Sequence, residues 1–153
     1  MGSSYTENKN AGFWARDGQI QVWLYLLVLE IEKMESIPEW LEKAKDYWHL
    51  QSTVDFGGCV SANLDEIIDS VEKRERLIDI SRRALAELES YGSKITLETK
   101  YSYGEDGPDT LCHNVDIRVY SIIGKAFLDL LQGKLKTDAS SGKVLWPKDV
   151  PYG

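Results

Sequence analysis

Cysteine is scarce in this chain of 153 residues: Cys59 and Cys112 are the only two, and they form no CxxC pair. That usage excludes a disulfide-framed secreted scaffold and the zinc or redox sites built on paired cysteines, and it fits a reducing cytoplasm. Long apolar runs are also missing. The longest, residues 22–29, covers eight residues, far short of the roughly 20 that a membrane span requires. No P-loop, GxGxxG, HExxH or GxSxG motif occurs, which removes the standard phosphate-cradling, zinc-hydrolase and serine-hydrolase chemistries. Positive charge is in deficit, with 18 Lys and Arg against 25 Asp and Glu and a net charge of -7. Nucleic-acid binding is therefore not expected, because its sequence-independent part comes from cations that neutralise phosphates.

What remains is an ordinary globular composition, 42% hydrophobic and 28% charged, in a length typical of one domain. We read residues 1–153 as that single domain. Polar residues 1–12 read as a loose leader without the features of a signal peptide. Residues 134–153, with Ser140-Ser141-Gly142, Pro147 and Pro151, read as an irregular tail anchored by Trp146.

Between them the apolar spacing is helical. Ile20, Trp23, Leu24, Leu27, Val28, Ile31 and Met34 form one stripe after Asp17, a candidate cap, while Val22, Leu26 and Leu29 add a second. A helix apolar on most of its circumference belongs between other elements. Ser36-Ile37-Pro38-Glu39 predicts a break and a new start, followed by the period of Trp40, Leu41, Ala44, Tyr47 and Trp48. Gly57-Gly58 marks a loop. Asn63 with Glu66 repeats the capping-box spacing, and Asp69 or Ser70 can cap another helix, so one helix or two could follow. Leu77, Ile78, Ser81, Ala84, Leu85, Leu88 and Tyr91 then predict a long helix stopped at Gly92, with Glu72–Arg76 and Asp79–Arg83 spaced as exposed ion pairs.

Residues 95–119 read two ways. Ile95, Leu97, Thr99, Tyr101 and Tyr103 alternate like a strand, with Val115, Ile117 and Val119 as a partner across a turn-rich loop. Equally, Leu111, Val115, Val119, Ile122, Ile123, Phe127 and Leu130 fit a helix beginning near Asp109. Gly124 inside this pattern predicts a close approach by a neighbouring backbone or ring, and Gly133 a helix stop. The expected fold is mainly α, four to five helices in an irregular bundle, with a small hairpin at about 95–119 as the open alternative.

No strong catalytic constellation emerges, and no cofactor is expected. Asp65, Glu66, Asp69 and Glu72 are the best acidic candidates for a metal site, since Asp65, Asp69 and Glu72 share a face if their helix is continuous. All-helical nucleotide pyrophosphohydrolases resemble this pairing of acids, but their second acidic motif is missing. First-turn acids that complement a helix N-terminus are the simpler reading. Cys112 and His113, adjacent in sequence, cannot form a nucleophile–base pair on a helix. Lys73-Arg74-x-Arg76 and Arg82-Arg83 are interleaved with Glu72, Glu75 and Asp79, which reads as a solvated, ion-paired face.

Five Trp and eight Tyr are the feature that points outward. Trp14, Tyr101, Tyr103, Trp146 and Tyr152 fall in irregular or alternating segments, where exposure would mark a partner-binding surface. The expectation is a cytoplasmic, non-enzymatic protein-binding module whose acidic surface engages a basic partner, by analogy with bacterial immunity proteins that neutralise a basic toxin. The alternatives are a metal-dependent nucleotide hydrolase using the Asp65 cluster and a homo-oligomeric structural protein.

Overall fold

Nearly every side chain from position 20 to position 28 is apolar, so no orientation of a helix there could leave only one face dry. A computed structural model, which describes residues 2–53, 60–91, 94–95 and 115–135, resolves this by surrounding the helix. Helix α1, Asp17–Glu32, buries Ile20, every residue from Val22 to Val28, and Ile31. It packs on helices α2 (Glu39–Thr53), α4 (Val71–Glu89) and α5 (Ile117–Leu131), and on an N-terminal hairpin. A short helix α3, Leu64–Ile67, precedes α4. The fold is mainly helical, with five helices among the described residues.

The turn between α1 and α2 falls where Ser36 and Pro38 predict it. Leu41 and Glu42 donate their backbone N–H groups to the Pro38 carbonyl, so Pro38 stands at the cap and Glu39 opens the helix. The question of one helix or two after Asn63 is settled as two. Ile68 leaves the helical region, and the Ser70 hydroxyl restarts it by accepting the Lys73 N–H at 3.2 Å.

Helix α5 lies along α4 and α1, where the glycine-approach expectation holds. A Cβ on Gly124 would lie 2.7 Å from the Trp23 ring and 3.1 Å from Leu85, so only glycine admits the indole, which also meets Phe127 at 5.8 Å between centroids. The helix stops as expected at Gly133, whose φ is +71°. Gly133 N–H donates to the Leu130 carbonyl and Lys134 N–H to the Asp129 carbonyl, the paired bonds of a Schellman stop.

Two expectations are corrected. Residues 2–12, read as part of a loose leader, are ordered instead: strand β1, Ser3–Asn8, pairs antiparallel with β2, Ala11–Arg16, with Tyr5 opposite Trp14 and Thr6 opposite Phe13. Lys9 and Asn10 form the two-residue turn with φ of 51° and 67°, the primed geometry whose twist suits a hairpin. Asp17 is not the cap but the first helical residue, preceded by Arg16 in extended conformation. Its carboxylate turns inward and accepts the Ser4 hydroxyl at 2.6 Å, while the Ser4 oxygen accepts the Val60 N–H at 3.0 Å.

For residues 95–119 each reading is partly realised. Strand β3, Lys94–Ile95, pairs antiparallel with β4, Val115–Asp116, placing Ile95 opposite Val115, whereas Ile117 and Val119 belong to α5. Tyr101 and Tyr103 lie outside the described residues, as do Gly57-Gly58, Cys59, Gly92, Cys112 and His113, and the tail beyond position 135. Among the described residues no helix is long and apolar enough to cross a membrane.

Candidate functional site

The acidic candidates do not share a face. The break between α3 and α4 interrupts the continuous helix their grouping required, and three of the four acids are turned to local tasks. Asp65 accepts the Asn8 side-chain amide and the Lys9 backbone N–H, both at 2.9 Å, and so fastens the hairpin tip to α3. Glu66 accepts the Asn63 amide at 3.1 Å. Asp69 pairs with Lys73 at 2.9 Å. Glu72 is exposed in the first turn of α4. Among the described residues no three His, Cys, Asp or Glu side chains group to hold a metal ion.

Of the aromatic candidates, Trp14 is half-buried and its ring lies 5.2 Å from that of Tyr5, its cross-strand neighbour. Tyr101, Tyr103, Trp146 and Tyr152 lie outside the described residues. The basic clusters behave largely as a solvated face. Arg83 pairs with Asp79 at 2.7 Å, but Arg74 is half-buried and donates from Nη1 to the Leu131 carbonyl at 2.6 Å. A cation at that helix C-terminus is favourably placed.

Besides a small concavity of about 100 Å³ beside Tyr5, Glu7 and Asp65, two larger ones among the described residues carry charged and aromatic groups together. One, of about 210 Å³, lies between α1 and α4 beside Leu26, Leu29 and Tyr91. Lys33 lies there 3.2 Å from Glu30 and 3.7 Å from Glu87, and the Tyr91 hydroxyl donates to Glu87 at 3.3 Å. Burial pulls the Lys33 ammonium down, but its bond to Glu30 and the charges of Glu30 and Glu87 outweigh this and hold it above its usual value.

The other is a groove of about 350 Å³ where α2 meets the α3–α4 junction. Trp40, Lys43 and Tyr47 reach it from α2 at helical spacing, Asn63, Glu66 and Ile67 from around α3, and Lys73 from α4. Sequence spacing places Trp40 on the buried stripe with Trp48. The two differ in the structure: Trp48 is fully buried and donates its indole N–H to the Ala62 carbonyl at 2.8 Å, whereas Trp40 is half-exposed. Above its ring stands the Lys73 ammonium, 5.4 Å from the centroid, within cation–π range. Both groove lysines are already matched, Lys73 by Asp69 and Lys43 by Glu39 at 3.4 Å. Glu66, by contrast, pairs with no cation among the described residues.

The rest of α2 is acidic too. Lys45 sits beside Glu42 at 2.8 Å; that bond, against a smaller opposing effect of burial, and the charges of Glu42, Asp46 and Glu32 raise its ammonium above the usual lysine value. No sequence signal separated Trp40 from Trp48, because both fall on one helical stripe and only the partner helix decides which is covered. No family model, no curated protein and no solved structure matches this chain.

Proposed function

We propose that this chain is a non-enzymatic, cytoplasmic protein-binding module whose acidic surface engages a basic protein. The observation that carries the reading is the α2 groove, lined by half-exposed Trp40, Tyr47 and Ile67 with Glu66, Lys43 and Lys73, the two lysines paired with Glu39 and Asp69. Aromatic side chains give a large contact area at low entropic cost and recur at binding hot spots. Carboxylates around them speed encounter with a positively charged partner and select against an acidic one. The net charge of -7 acts in the same direction at longer range. An immunity-protein-like inhibitor of a basic toxin has this character, by analogy in size and charge.

The test is capture of partners from native extract at low and high salt, read by mass spectrometry. A basic protein retained at low salt and released at high salt is the expected result. Recovery of this chain alone would overturn the reading in favour of self-association.

A further inference from the structure

Lys33, Lys43, Lys45 and Lys73 each stand beside a carboxylate. Lys9 and Arg74 pair with none among the described residues, and they line the same hollow. It measures about 320 Å³ and lies where the hairpin tip, the first turn of α4 and the C-terminal end of α5 meet. No Asp or Glu lines it. The half-buried Arg74 guanidinium spends one of its five N–H groups on the Leu131 carbonyl at 2.6 Å, which fixes its direction and leaves the others for a ligand.

Three features would oppose an anion in this place, and each is offset. The last turn of a helix gathers carbonyl oxygens, but those of Asp129, Leu130 and Leu131 already accept Lys134 N–H, Gly133 N–H and Arg74. Asp65, which holds the hairpin tip, does not line the hollow and is engaged by the Asn8 amide and the Lys9 backbone N–H. The net charge of -7 acts at long range, where salt screens it beyond about 8 Å.

The rest of the wall selects the kind of anion. Ala11 and Leu135 are half-buried and give the hollow apolar surface beside buried Leu130 and Leu131. A bare inorganic anion would leave that surface unused. The volume lies at the small end of the range for ligand sites, and a guanidinium fork matches a carboxylate in bidentate fashion.

We infer that this hollow binds a small carboxylate with an apolar body, its head on Arg74 and Lys9 and its body against Ala11 and Leu135. The site goes beyond the proposed binding of a basic protein and does not depend on it, since such a protein would be repelled by these two cations.

The experiment titrates full-length protein with isocaproate, its neutral amide, acetate and inorganic phosphate at constant ionic strength, following the backbone amide resonances of Lys9, Ala11 and Gly133. Isocaproate is expected to shift all three saturably. It should bind about tenfold more tightly than the amide, which lacks the charge, and about tenfold more tightly than acetate, which lacks the apolar body. Lys9→Gln, at an exposed position, should weaken isocaproate binding about twofold to fivefold. Arg74→Gln should weaken it about tenfold; because Arg74 also holds the Leu131 carbonyl, its urea midpoint is read alongside, and Lys9→Gln carries the test if that midpoint falls. Lys134→Gln removes an exposed lysine that does not line the hollow and should leave the affinity unchanged. Equal losses in Lys134→Gln and Lys9→Gln would overturn the inference, as would phosphate, acetate or the amide binding as tightly as isocaproate, or the absence of a saturable shift.

Discussion

The seam between α1 and α5 and the dock of the N-terminal hairpin are both buried, yet they are held by opposite chemistry. At the seam, Trp23, Phe127 and Gly124 meet through ring and backbone surfaces alone. At the dock, the inward residues of β1 are Ser4, Thr6 and Asn8, and two of the three are secured by directional bonds to Asp17, Val60 and Asp65. Apolar packing tolerates adjustment and loses stability in proportion to the volume removed. A buried polar contact behaves differently, because deleting one member leaves the other desolvated and alone.

Four substitutions would break or sharpen this contrast. Phe127→Ala should cost the most, about 3–5 kcal/mol by urea unfolding, because a fully buried ring leaves a cavity against Trp23; a loss below 1 kcal/mol would mean the seam is loosely packed. Ser4→Ala removes a single oxygen yet should cost about 1–3 kcal/mol, since it strips the Val60 N–H and the buried Asp17 carboxylate of a partner together. An indifferent Ser4→Ala variant would show that the dock relies on its apolar residues, Phe13 and Ala15. Asp65→Ala should cost about 1 kcal/mol and raise amide exchange at Lys9 selectively, because Asp65 holds the hairpin tip. Unchanged exchange there would free Asp65 for another role.

The smallest effect concerns Lys33. Its ammonium is held above the usual value of 10.5, so its contribution is fully present below that pH and fades as pH rises through the raised value. Lys33→Met should flatten that alkaline part of the stability profile and lower neutral stability slightly, because the half-exposed ammonium is charged there and Glu30, only 13% exposed, loses its partner. An alkaline profile identical to the parent's would assign the decline to other groups.

The same contrast explains what the sequence discloses. Helix α1 was legible because hydrophobic spacing reports burial directly, and so were the Ser70 cap, the Gly133 stop and the close approach at Gly124, each a local rule of backbone geometry. The hairpin was not legible. Its inward face reads Ser-Thr-Asn, which looks like a solvated segment, and its turn, Lys9-Asn10, lacks the glycine that usually marks a primed turn. Only partners far along the chain make that face a buried one. The acidic cluster was misleading for a related reason: Asp65, Asp69 and Glu72 would share a face only on a continuous helix, and the Ile68 backbone departs from it. In the α2 groove the residues were visible but not their exposure, since Trp40 and Trp48 have the same spacing.

The hairpin's anchors have a temporal consequence. Val60 N–H lies 56 residues beyond Ser4, and Asp65 lies 57 beyond Asn8. Closing a loop of that length costs entropy before any bond returns it. During synthesis the hairpin must therefore wait for these anchors until α1, α2 and the start of α3 have emerged. It is then fixed after helices that follow it in the chain, and a ribosome stalled before position 60 would hold a nascent chain whose hairpin is still open to proteases.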